Sequence, residues 1–205
     1  MIRVDTFVAR QPIIDRNEKI FAYELLFRQG HETSYSSIDG DKATGDVISN
    51  SFLTIGMDTL TGGKRGFINF TTNLLKNKIA YSIPKEYVGI EILENVEPDQ
   101  EIISACTQLE EAGYLIVLDD FVFEPKFWPL IKLADIIKVD FLSTDVHERG
   151  NIIQRLGSGK LKFLAEKVET RDDFEQALQM GYSYFQGYYF YKPVVISDKA
   201  IPLFN

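Results

Sequence analysis

Seven short runs along this 205-residue chain carry carboxylates, amides and lysines, and from Asn69 onward most of these lie within, at or just past the end of a strand-like stretch. In chain order they are YELLFR, FINF, EILE, LDDF, IKVD, LAEKVE and YFQG. They contribute Glu24, Leu26 and Arg28; Asn69; Glu91 and Glu94; Asp119 and Asp120; Lys138 and Asp140; Glu166 and Glu169; and Gln186 with Gly187. Oxygen donors of this kind are what Mg²⁺ or Mn²⁺ prefers. With two His and one Cys in the chain, the composition argues against a zinc or soft-metal site.

Crowded carboxylates are costly unless a counter-charge joins them. Two divalent ions would neutralise the group, bridge the phosphate oxygens of a ligand and activate a water for in-line attack. Lys138 adds a positive charge where phosphate charge would develop. The net charge of -8 argues against polymeric nucleic acid, which wants a basic face. It is compatible with a phosphate ligand if cations stand between ligand and acids.

Taken singly, each residue also has an ordinary structural role. A strand-end glutamate is usually solvated, and Asn69 can bind its own backbone in a turn. Gln186 can close a turn before Gly187. Asp120 can cap a helix, and Glu169 can belong to the capping region of the helix that follows it. Lys138 can send its ammonium to solvent from a buried stem. The recurrence of polar groups at the same end of successive strands favours a shared site.

The elements that would position them alternate along the chain. Strands are predicted over Val4–Ile14, Lys19–Phe27, Gly66–Asn69, Val88–Ile92, Tyr114–Leu118, Ile136–Val139, Leu161–Ala165 and Tyr184–Gln186. Helical spacing covers Ala43–Met57, Asp99–Ala112, Glu124–Leu130, Asp145–Leu156 and Arg171–Met180, with Thr170 as a cap. Apolar strands such as those before Asp119 and Asp140 suit a parallel sheet covered by helices. An open doubly wound sheet would gather its ligand at one crevice, whereas a closed barrel brings every strand end to one rim. The expectation is therefore an α/β, TIM-like (β/α) barrel forming one domain over residues 1–205. The short link between the first two strands makes them a hairpin, so the first strand is expected to be antiparallel.

No apolar run reaches the roughly 18 residues of a membrane span, and the start lacks the regions of a signal peptide. The single Cys106 allows no internal disulfide, which fits a cytoplasmic setting. The closing KPVVISDKAIPLFN is taken as a domain boundary within a longer protein.

Together, FVARQPIIDRNEKIFAYELLFR, EILENVEPD, LDDF, ADIIKVDF, FLAEKVET and YFQGYYFYKP resemble the EAL domain family. That family hydrolyses the bacterial messenger cyclic di-GMP to the linear dinucleotide pGpG. The resemblance runs from Phe7 to about Pro193 and is strongest to the subgroup that precedes an HDOD domain. It implies that Glu24, Asn69, Glu91 and Asp119 hold a first divalent ion, and that Asp119, Asp120 and Glu166 hold a second. Lys138 resembles the lysine that contacts the hydrolytic water, so Lys138, Glu166 and Glu24 form the implied catalytic set. Gln11, Leu26 and Arg28 resemble substrate contacts, with Asp140, Glu169 and Gln186 as supporting polar positions. Glu94 resembles the acid that anchors the loop after Asp120. The implied partners are cyclic di-GMP, a C-terminal HDOD domain and a second copy in a homodimer.

The chain departs from the family pattern in several places. Leu25 stands where the family's name motif has alanine, and the segment before Asn69 is short. The loop normally reads Asp-Asp-Phe-Gly-Thr-Gly, but here it is Asp119-Asp120-Phe121-Val122-Phe123-Glu124-Pro125. In the family this loop is linked to dimerisation and to holding the second ion. Lys167 replaces a common glycine. The polar set favours a phosphodiesterase, and the altered loop favours a module that binds cyclic di-GMP or a protein partner without turnover. The apolar Phe123, Phe127 and Trp128 suit either a partner interface or packing onto the barrel. A barrel enzyme with another phosphorylated substrate is a third reading.

Overall fold

The alternation of apolar strands with amphipathic stretches closes, in the computed structural model of this chain, into a ring of strands wrapped by helices. The structure describes residues 6–29, 45, 56–121, 123–157 and 159–196. β1 (Thr6–Asp15) and β2 (Ile20–Gln29) form an antiparallel hairpin. Its turn is fixed by Asp15, whose Oδ1 accepts from the backbone N–H groups of Asn17 and Lys19.

From β2 the sheet continues in parallel through β3 (Arg65–Phe70), β4 (Val88–Ile92), β5 (Leu115–Leu118), β6 (Ile136–Asp140), β7 (Lys162–Glu166) and β8 (Tyr184–Phe185). β8 then pairs antiparallel with the end of β1, Ile14 opposite Phe185, and the barrel of β1 to β8 is closed. A further short strand, β9 (Val194–Ile196), lies antiparallel on Val8–Arg10 of β1.

Side chains alternate faces along a strand, and this sorts the barrel into layers. Ile13, Ala22, Phe67, Val117, Ile136 and Leu164 pack together as an apolar plug inside the ring. Two residues further along the same faces come Gln11, Glu24, Asn69, Asp119, Lys138 and Glu166, the polar layer above the plug. The opposite faces supply Ile68, Phe70, Ile90, Ile92, Ile116, Ile137 and Ala165 to the larger core between strands and helices. Gly89 belongs to this arrangement, because a Cβ there would lie 2.6 Å from the Phe67 ring.

Among the described residues, the outer layer includes α1 (Met57–Thr61), α2 (Thr72–Lys76), α3 (Gln100–Glu111), α4 (Trp128–Leu133), α5 (Val146–Leu156) and α6 (Arg171–Met180). Caps set where the longer ones begin: Asp99 accepts from Ile102 N, and Asp145 accepts from His147 and Glu148 N. Thr170 and Asp173 exchange side-chain-to-backbone bonds in a capping box.

The expected barrel with an antiparallel first strand is present. β9, α1 and α2 go beyond the sequence reading. The helix expected over Glu124–Leu130 is a 3₁₀ turn, Pro125–Phe127, followed by α4, which runs on to Leu133. The helix expected over Ala43–Met57 lies outside the described residues except at Gly45, Gly56 and Met57. Among the described residues no helix is long and apolar enough to cross a membrane.

Candidate metal centre

Parallel strands deliver their C-terminal ends to one rim, and β1, running the other way, brings Gln11 opposite Glu24. At the centre of that rim is the Lys138 ammonium, 1% exposed on a buried side chain. It donates to Glu91 Oε1 and, at 2.7 Å, to Asp119 Oδ1; Glu166 Oε1 is 2.8 Å away and Glu24 Oε1 3.9 Å. Glu24 is also held by Gln186, whose Nε2 donates to Glu24 Oε2 at 2.5 Å and to Gln11 Oε1 at 3.1 Å. Gln11 in turn donates to the Tyr191 carbonyl. The half-buried Asn69 lies in register with Glu91 on the neighbouring strand.

Adjacent residues of a strand face opposite ways, so two neighbouring aspartates need a local device to share a site. Asp119 continues the ladder past β5, its N–H donating to the Ile92 carbonyl. Asp120 then takes a φ of 38°, in the left-handed region that Asp tolerates better than most residues. The chain turns there, and Phe121 N donates back to the Lys138 carbonyl. As a result, carboxylate oxygens of Asp119, Asp120 and Glu166 lie within 4.8 Å of one another.

Electrostatics follow from burial. Desolvation drives the Glu91 carboxyl well above the ordinary range, against the pull of Lys138 and with help from the neighbouring acids. Glu166 is pushed up to about 8 for the same reasons. For Lys138, burial alone would lower the ammonium, but the four carboxylates around it reverse the sign and hold it well above the usual lysine value. Asp119 is also penalised by burial, yet its contacts with Lys138 outweigh that and lower it.

Glu91 Oε2, Asp120 Oδ1 and Glu166 Oε2 are buried and accept no hydrogen bond. Buried acceptors without donors are rare and costly. Several of them on carboxylates that converge match the donor set of a hard divalent cation. The residues present therefore fit such an ion.

Other expected site residues stand further out. Leu26 is half-buried on β2. Arg28 pairs through its backbone with Phe7, and its side chain lies outside the described residues. Asp140 Oδ1 accepts from Leu142 and Ser143 N, closing the turn after β6, while Oδ2 accepts from Lys167 at 2.5 Å. Glu169 is exposed and its N–H reaches Asp173 at 3.4 Å, within the capping region of α6.

Glu94 is exposed and borders a cavity of about 190 Å³ that also touches Asp119, Asp120, Phe121, Phe127 and Leu130. The ion pair that spans from the loop after β4 to the loop after β5 is made by Glu97 and Lys126, at 3.1 Å. Sequence spacing did not single out this pair. In that second loop Phe121 is buried and Phe123 and Phe127 pack against the core, while Trp128, the first residue of α4, is exposed.

No family model matches the chain. It is 47% identical over 196 residues to the uncharacterized protein YuxH of Bacillus subtilis, covering 93% of this chain and 48% of that protein. It is 36% identical over 199 residues to the cyclic di-GMP phosphodiesterase CdgJ of Vibrio cholerae, covering 96% of this chain and 46% of that protein. The chain thus spans about half the length of the curated relatives it matches. Among solved structures, a standalone EAL protein from Vibrio cholerae in its c-di-GMP-bound form superposes with a TM-score of 0.68 at 25% identity, over 94% of each chain. An EAL domain protein from Listeria monocytogenes superposes with a TM-score of 0.70 at 24% identity, over 94% of this chain and 90% of that one. The chain is homologous to the EAL-domain cyclic di-GMP phosphodiesterases.

Proposed function

We propose that this domain is a divalent-metal-dependent phosphodiesterase that hydrolyses cyclic di-GMP to pGpG in bacterial second-messenger signalling. The observation that carries this reading is the convergence of Glu24, Glu91, Asp119, Asp120 and Glu166 around Lys138 at one barrel rim, with buried carboxylate oxygens left to accept a cation. Glu24, Asn69, Glu91 and Asp119 would hold one ion of Mg²⁺ or Mn²⁺, and Asp119, Asp120 and Glu166 a second. Bound there, the ions would supply Lewis-acid charge to the scissile phosphate.

The chain's own residues do the positioning. The apolar plug closes the site from below. Gln186 and Gln11 lock the Glu24 carboxylate in one orientation. The Lys138 ammonium, beside Asp119 and Glu166, is placed to hydrogen-bond an oxygen on which charge develops. Leu26, Arg28, Asp140, Glu169 and Gln186 are the proposed contacts and supports of the dinucleotide, and Glu94 the proposed anchor of the loop. A cytoplasmic location, a C-terminal HDOD domain and a homodimer belong to the same proposal.

The test is incubation with cyclic di-GMP and excess Mn²⁺ or Mg²⁺, following pGpG by chromatography with Glu24→Ala as control. Metal-dependent turnover that disappears in the control supports the enzyme; folded protein without turnover refutes it. One observation favours a second reading, a module that binds the nucleotide or a protein without cleaving it. Asp120 sits at a positive φ in a loop lacking the family's glycines, and catalysis tolerates misplacement less well than binding does. A cyclic di-GMP titration of the inactive protein would identify that case.

A further inference from the structure

The cluster contains a second ammonium that the mechanism does not use. Lys167 follows β7 with a φ of 53°, a backbone region that favours glycine. Its Nζ lies 2.5 Å from Asp140 Oδ2 and 3.8 Å from Asp120 Oδ2. Asp140 is a fixed anchor, because its other oxygen is held by two backbone N–H groups. Asp120 is not: its Oδ1 is buried without a hydrogen bond. The two lysines also differ in freedom. The Lys138 side chain is 1% exposed and sealed in place, while that of Lys167 is 48% exposed and has open solvent to move into.

We propose that the Lys167 ammonium is a built-in competitor for the outer metal position, neutralising Asp120 when no ion is bound and raising the concentration of divalent ion needed to fill the place made by Asp119, Asp120 and Glu166. This rests on the reading of the cluster as a two-ion centre. A doubly charged ion drawn to Asp120 meets the repulsion of the ammonium beside it. Loading therefore requires Lys167 to leave Asp120. Lys138 lies within 4.0 Å of Glu24, Glu91, Asp119 and Glu166 and so bears on both positions. Among the described residues, the acids within 4.0 Å of Lys167 are Asp120 and Asp140 and not Glu24 or Glu91, so Lys167 is the charge that sets the outer position apart from the inner one. Metal uptake becomes stepwise, inner position first.

The experiment is a Mn²⁺ titration of wild type, Lys167→Met and Lys167→Arg, read by calorimetry and by the electron paramagnetic resonance of free and paired Mn²⁺. Circular dichroism confirms folding. Wild type is expected to load in two steps. Lys167→Met should tighten the second step by roughly tenfold or more and leave the first step unchanged, while Lys167→Arg, which keeps the charge, should behave as wild type. A second step equal or weaker in Lys167→Met overturns the proposal while leaving the metal centre standing. Absence of Mn²⁺ binding in all three proteins overturns the two-ion reading itself and this inference with it.

Discussion

Each acid at the rim meets a different combination of desolvation and counter-charge, so acids of one type titrate differently. Glu166 is displaced from an ordinary value of 4.5 to about 8, mainly by desolvation and against the pull of Lys138, and Glu91 moves in the same direction. A carboxyl raised on folding binds more protons in the native state than in the unfolded one, so stability falls as pH rises between the two values. The metal-free protein should therefore lose melting temperature from pH 4.5 towards about 8. Saturating Mn²⁺, which binds the ionised form, should flatten that slope. Melting curves in chelator and in Mn²⁺ across this range check it, and parallel slopes would refute the assignment. Strand alternation alone makes Glu24, Asn69, Glu91, Asp119, Lys138, Glu166 and Gln186 readable as one face of the sheet. It does not extend past a strand's end. There Asp120 depends on a left-handed backbone, and Glu94 and Glu169 face solvent.

Elements place these residues through their ends. α6 starts at Thr170, whose Oγ1 accepts from Asp173 N at 3.1 Å, while Asp173 Oδ2 accepts from Thr170 N at 3.0 Å. This reciprocal pair fixes the exit of the chain from β7, with Thr170 three residues beyond Lys167. Thr170→Ala should cost about 1 kcal/mol of global stability. Urea denaturation measures it, and a midpoint unchanged from wild type would show that the box contributes nothing. The signal for this cap is plain in the sequence because the partners stand three residues apart. The start of α4 is harder to place. Pro125 suits a first helical turn, but the turn it opens is 3₁₀, and α4 begins only at Trp128. α1 and α2 have five residues each, and β9 has three, directly after Pro193. Elements this short complete too little of a period to be recognised from apolar spacing.

At the scale of the whole molecule, closure couples the rim to the shell. The same strands that carry the carboxylates inward carry Ile90, Ile116 and Ile137 outward against the helices. The barrel is legible in the sequence because the polar positions recur at successive strand ends. The role of β9 is not, since its pairing with β1 is made only once the ring has closed. Cys106 reports on this coupling. It is the single cysteine of the chain, fully buried on α3 within the large core. Burial pushes its thiol up to about 12, so the reactive thiolate is scarce in the native state. Modification by a thiol reagent at pH 8 should therefore proceed only through opening. If α3 is released only when the barrel unfolds, an ion bound at the rim must slow labelling, because it stabilises the native state by mass action. Saturating Mn²⁺ is thus expected to lower the labelling rate of native protein and leave the rate in denaturant unchanged. Labelling in native buffer that is as fast as in denaturant would contradict the burial. Slow labelling that ignores Mn²⁺, in protein shown to bind it, would mean that α3 opens locally while the barrel and its rim stay closed.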